Sequence, residues 1–181
     1  MKILVSACLL GENCKYNGGN NYNAAVAEYV KGKDILPICP EMMAGMGCPR
    51  TPIEIGDGVL MDRNGNNVDV AMREAVAQAM EMIRKEDIQC AVLQSRSPTC
   101  GVKQVYDGSF SGIPHPPLTA KPSASVHFAL NLGENVVLLP YNELDMNTFS
   151  IRRPAVTSSL VFATGRVRCS STYAERLCMK G

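Results

Sequence analysis

The 181-residue chain has no tryptophan and only two histidines, His115 and His127. It also has no C-x-x-C pair. These absences exclude a zinc ribbon, a thioredoxin-type motif and a bacterial ferredoxin run, and leave little for a Cys/His zinc knuckle. An excess of either charge is missing too: 18 Lys and Arg stand against 17 Asp and Glu, a formal net charge of +1. No electrostatic footprint for nucleic acid or an anionic membrane follows from that. Apolar runs fall far short of the roughly 18 residues of a membrane span. Met1 to Val5 lacks the apolar region and cleavage site of a signal peptide; it reads as a first strand, and the protein as cytoplasmic.

What the chain has is cysteine, eight in all, with 46% hydrophobic residues. The length predicts one domain with a real core. In a reducing compartment disulfides rarely persist, so this many thiols raises metal or redox chemistry in the ranking.

The apolar runs Lys2–Ala7, Ile35–Ile38, Cys90–Leu93 and Val136–Leu139 predict strands. Asn23 caps a helix over Ala24–Lys31, closed by Gly32. This strand–helix–strand order is a βαβ unit and implies parallel pairing in an α/β fold. Glu41–Ile55 reads as a long loop whose apolar Met42, Met43 and Met46 favour an ordered segment packed over the rest. Val59–Met61 and a turn at Asn64-Gly65 predict a small hairpin. A clear amphipathic helix follows, capped by Asn67 or Asp69, with Val70, Ala71, Met72, Ala75, Val76, Ala79, Met80 and Ile83 on its apolar face. Tyr106–Gly112 reads as a loop or turn. Domain boundaries fall at 1–145, an α/β domain, and 146–181, an irregular tail.

In such a fold Cys8, Cys39 and Cys100 each lie at the carboxyl end of a strand, the edge where open parallel sheets bind ligands. A lone strand cysteine is most often a small buried apolar residue. Three on one rim point further, because converging thiolates repel unless a cation neutralises them. Thiolates suit zinc and iron–sulfur clusters alike, so donor chemistry leaves the metal open. Cys14 and Cys48 lie on loops at the same edge and compete as ligands. Cys90 belongs to the core, and Cys169 and Cys178 to the weakly patterned tail. Glu41, two residues after Cys39, is placed to take a proton from water, and Ser97 to position a substrate; a turn-capping Glu and a turn hydroxyl are the plainer readings. Lys15 and Arg50 could anchor an anion or carbonyl, and Asn17 and Asp107 could hydrogen-bond a planar ligand.

Ser6-Ala7-Cys8-Leu9-Leu10-Gly11, Lys15-Tyr16-Asn17-Gly18-Gly19, Cys39-Pro40-Glu41 with Pro49-Arg50, and Ser95-Arg96-Ser97-Pro98-Thr99-Cys100-Gly101 together resemble one family. It was first catalogued as a domain of unknown function, and its characterised members are thiouracil desulfidases. The resemblance runs from Met1 to about Gly112. It implies a Rossmann-like three-layer domain and a 4Fe–4S cluster held by three cysteines, with one iron open. It also implies that a thiolated pyrimidine such as thiouracil is hydrolysed to uracil and hydrogen sulfide, the open iron acting as a Lewis acid without redox change. Carried across by motif, Cys8, Cys39 and Cys100 are the cluster ligands, with Cys48 in reserve for Cys39. Glu41 is the base that activates water, and Ser97 its helper. Neutral charge and the lack of an RNA-binding motif weigh against a nucleic-acid partner; the oligomeric state stays open.

Two other readings compete: a zinc-binding or cluster-sensing protein without catalysis, and a cysteine-nucleophile enzyme using Cys100. The chain departs from the family after Lys121, where Pro122-Ser123-Ala124-Ser125-Val126 replaces the start of a helix. One set of triplets for Lys121 to Val126, preceded by one extra adenine, spells Lys-Ala-Leu-Arg-Glu-Cys, which suggests a shift of reading frame near Lys121.

Overall fold

The computed structural model describes residues 2–101, 104–115 and 137–140, all within one unit, Met1–Leu144. In chain order the elements are β1 (Lys2–Ser6), a 3-10 turn (Ala7–Leu10), α1 (Ala24–Val30), β2 (Asp34–Ile38), α2 (Pro40–Met43), β3 (Ile53–Gly56), β4 (Val59–Asp62), α3 (Asp69–Arg84), β5 (Ile88–Leu93), β6 (Val105–Tyr106), β7 (Pro114–His115) and β8 (Val137–Pro140). The main sheet has the order β2-β1-β5-β8, and every pairing in it is parallel.

Period-2 alternation decides the layers. Ile3, Val5, Cys90 and Val92 face one side, where they pack on Val26 and Val30 of α1. Leu4, Ala91 and Leu93 face the other and pack on Val76, Ala79, Met80 and Ile83 of α3. A sheet covered on both faces needs continuous apolar strands, which is why Ile3-Leu4-Val5 is 0% exposed throughout. Each such side chain contributes about 1.5–3 kcal/mol relative to exposure. The expected α/β architecture with a mostly parallel sheet is therefore present.

Four local expectations are corrected. The 41–55 segment is not all loop: it opens with α2, where Pro40 fills the first helical position and Glu41 the first turn. The hairpin turn lies at Asp57-Gly58, with φ of 49° and 78°, as a two-residue hairpin connection requires. The Asn64-Gly65 turn instead follows β4, held by Asp62 Oδ1 accepting the Asn64 and Asn66 amides, each at 2.8 Å. Neither Asn67 nor Asp69 occupies the cap of α3, which is Val68. Asp69 accepts the Leu60 amide at 3.2 Å and pairs with Arg73, tying α3 to β4. Val70, expected in the core, is 68% exposed. The buried stripe starts only at Met72, which packs on Ile53 and Leu60 of the hairpin, while Val76, Ala79, Met80 and Ile83 meet the main sheet. The tail from residue 146 and the departure near Lys121 lie outside the described residues.

Candidate metal and catalytic site at the carboxyl edge

Parallel strands end together, so the carboxyl ends of β1, β2 and β5 share one edge. After β1 the chain turns through the 3-10 segment, which carries Cys8 and closes at Gly11 with φ 97°. The Asn21 amide reaches the Cys8 sulfur at 3.7 Å. After β2, Cys39 is the cap residue of α2. After β5, Ser97 to Gly101 forms a tight turn in which the Gly101 amide donates to Ser97 O at 2.8 Å. A side chain at Gly101 would put its Cβ 2.7 Å from Ser97 O, so only glycine fits.

Electrostatics shows that the thiols share one neighbourhood. Burial pushes the Cys8 thiol up; the Asn21 amide draws it back, and Cys39 and Glu41 add to the rise. Cys100 is pushed up to about 12 by burial, opposed by the Ser6 hydroxyl and raised further by Cys39. Burial likewise raises Cys39, against a backbone hydrogen bond from Met42. Cys14 is raised by burial and then by Cys39 and Cys8. The structure thus brings Cys8, Cys14, Cys39 and Cys100 together. The Cys48 thiol donates to Asn13 O at 2.9 Å and Lys15 O at 3.1 Å, clasping two loops. Cys90 sits in the core. Among the described residues no three His, Cys, Asp or Glu side chains stand close enough to hold a single metal ion.

Beside the thiols runs a polar chain. Arg50 Nε donates to Glu41 Oε2 at 3.1 Å, and its Nη2 bonds the same oxygen. Ser97 Oγ lies 3.4 Å from Glu41 Oε1 and 3.1 Å from Thr99 Oγ1, and Thr99 Oγ1 lies 3.7 Å from the Cys100 sulfur. The Cys100 amide donates to Ser97 Oγ at 3.2 Å, fixing that hydroxyl. An open cleft of about 370 Å³ adjoins, lined by Ala7, Asn13, Cys14, Cys39, Met42 and Met43 among others.

Not every sequence candidate joins the site. Asn17 accepts the Gly19 amide at 3.2 Å, and Asp107 accepts the Ser109 amide at 3.0 Å; both hold their own turns. Lys15 stands 5.7 Å from the Tyr16 ring. Sequence reasoning passed over Ser6 and Thr99, 2% and 0% exposed. Their signal was a hydroxyl one or two residues from a candidate cysteine.

The model of the 2-thiouracil desulfurase family matches residues 3–121. The chain belongs to this family. It is 31% identical over 120 residues to the uncharacterized protein YbbK of Bacillus subtilis (strain 168), a match covering 61% of this chain and 80% of YbbK. It is also similar to the solved structure of the 4Fe-4S-dependent thiouracil desulfidase TudS, at 26% identity and a TM-score of 0.66 over 79% of this chain and 92% of that one. The family match spans all the motif cysteines up to Cys100, together with Glu41 and Ser97. No helix among the described residues is long and apolar enough to cross a membrane.

Proposed function

We propose that this protein is a 4Fe–4S-dependent desulfidase that hydrolyses a thiolated pyrimidine to the oxygenated base and hydrogen sulfide. The observation that carries this reading is the meeting of Cys8, Cys39 and Cys100 with the Glu41–Ser97 pair at one sheet edge, in a chain of this family.

The residues fit such a cluster. Single ions draw every thiolate to about 2.3 Å and so need tightly gathered donors, which the described residues lack. In a cluster each cysteine takes a separate iron, so donors spread along three strand ends suit it better. Cys8 and Cys100 are raised first by burial and then by Cys39, and thiols so grouped are the kind a cationic group neutralises. Cys8, Cys39 and Cys100 would hold the cluster, and Cys14, which interacts with Cys39 and Cys8, is a further sulfur beside them. When bound, the cluster supplies a Lewis acid for the thiocarbonyl sulfur, with no electron transfer required.

The chain's own side chains do the rest. Glu41 Oε1 takes the proton from water, since Oε2 is committed to Arg50. Ser97 Oγ, held by the Cys100 amide and Thr99, positions the substrate or passes the proton to the departing sulfur. Met42 and Met43 give the cleft an apolar wall for a flat heterocycle. Free cysteines in this number suit a reducing compartment such as the cytoplasm.

A cysteine-nucleophile enzyme is disfavoured, because a thiol raised to about 12 is a poor source of thiolate. The test is anaerobic reconstitution followed by sulfide release from 2-thiouracil and 4-thiouracil. Brown protein with about four irons per chain and sulfide matched by uracil supports the proposal. Colourless protein holding one zinc and releasing no sulfide overturns it in favour of a structural or sensing role.

A further inference from the structure

Arg50 is a firmly held charged side chain at this edge, and of the residues lining the cleft it reaches the Met42 sulfur. Its side chain is only 5% exposed, against 13% for its partner Glu41. Both Nε and Nη2 grip Glu41 Oε2, while Nη1 donates to Gly47 O at 2.9 Å and reaches the Met42 sulfur at 3.8 Å. Its backbone is pinned as well, the Arg50 amide donating to Tyr16 O at 2.7 Å. The loop can bring it back to α2 because Gly45 and Gly47 both adopt φ 72°. The guanidinium is therefore fixed from two loops and aimed at one oxygen of one carboxylate.

Resting on the desulfidase reading, we propose that Arg50 is a positioning residue that decides which Glu41 oxygen works. By engaging Oε2 it leaves Oε1 facing Ser97. It also keeps the carboxylate from swinging onto the cysteine set, where Glu41 already acts on Cys8, Cys39 and Cys100 and where it would compete with substrate for an open iron. A rigid fork does this; a lysine ammonium supplies the charge without the two-point grip.

The test compares R50Q, R50K, E41Q and R50Q/E41Q. In iron-free wild type, the Arg50 Nε–H should give a separate, slowly exchanging NMR resonance that E41Q abolishes. In reconstituted protein, R50Q should lower kcat about 100-fold with KM changed less than about threefold, and R50K should recover about tenfold of that. E41Q and R50Q/E41Q should be equally slow, because Arg50 acts only through Glu41. The electronic spectrum of cluster-loaded R50Q should shift and return to the wild-type form in R50Q/E41Q. A rise in KM at constant kcat, multiplying losses in the double variant, or no slow Nε–H resonance in wild type each overturns the positioning role. A wild-type protein with that resonance and its cluster but no sulfide release overturns the desulfidase reading, while the resonance still supports the grip on Glu41.

Discussion

At the amino edge of the main sheet, Lys2 pairs with Glu86 at 2.7 Å and with Asp34 at 3.6 Å, the three side chains 22%, 37% and 67% exposed. At the carboxyl edge, Arg50 pairs with Glu41 with both side chains largely out of water. The first arrangement closes strand ends that face solvent; high dielectric and salt make it replaceable. In the second, removing either partner strands a buried charge. The cysteines repeat the contrast. Cys90 and Cys100 are each 5% exposed, yet Cys90 lies among Ile3, Val5 and Val26, with the Tyr29 hydroxyl at 3.9 Å, while Cys100 closes a chain of hydroxyls leading to a carboxylate. Equal burial therefore goes with different surroundings, apolar for Cys90 and polar for Cys100.

The contrast is sharpest in metal loading. Cys8→Ser, Cys39→Ser and Cys100→Ser should each lose most of the iron bound after anaerobic reconstitution, whereas Cys90→Ser and Cys48→Ser should retain it. Equal loss from Cys90→Ser would break the distinction between the edges. Next in size is Glu41→Gln, which should lower kcat by about 10²–10⁴-fold with little change in KM. Gly101→Ala should destabilise the iron-free protein by about 1–3 kcal/mol, read from its denaturant midpoint, because the new methyl meets the Ser97 carbonyl oxygen.

A smaller effect belongs to the core side. Tyr29 is pushed up to about 12 by burial and then by Cys90. The folded chain therefore keeps a proton that the unfolded chain releases above about 10. Stability should fall as pH rises from about 10 to about 12, and Tyr29→Phe should flatten that part of the urea-midpoint profile. Smallest of all, Lys2→Ala should leave the melting temperature nearly unchanged at physiological salt. A large shift would show that the amino-edge pairs matter more than their exposure implies.

The main strands and the site motifs were legible in the chain because their signals are local. Continuous apolar runs mark strands buried on both faces, and a thiol just past such a run must lie at the sheet's edge. The small hairpin was misplaced by a competing signal, since Asn64-Gly65 is as good a turn as Asp57-Gly58 and only pairing of Ile53–Gly56 with Val59–Asp62 decides between them. The cap of α3 was misread because Asp69 answers a strand amide from Leu60, a partner the local pattern does not name.

The sequence by itself determined the layered α/β plan and the set of thiols, carboxylate and hydroxyl available for chemistry, since periodicity and residue type need no distant partner. Tertiary structure alone decided that Cys48 clasps two loops while Cys14 interacts with Cys8 and Cys39, and that Arg50 grips Glu41. Those outcomes depend on where separate loops meet after the strands have aligned, and the eight residues between Glu41 and Arg50 carry no local trace of it.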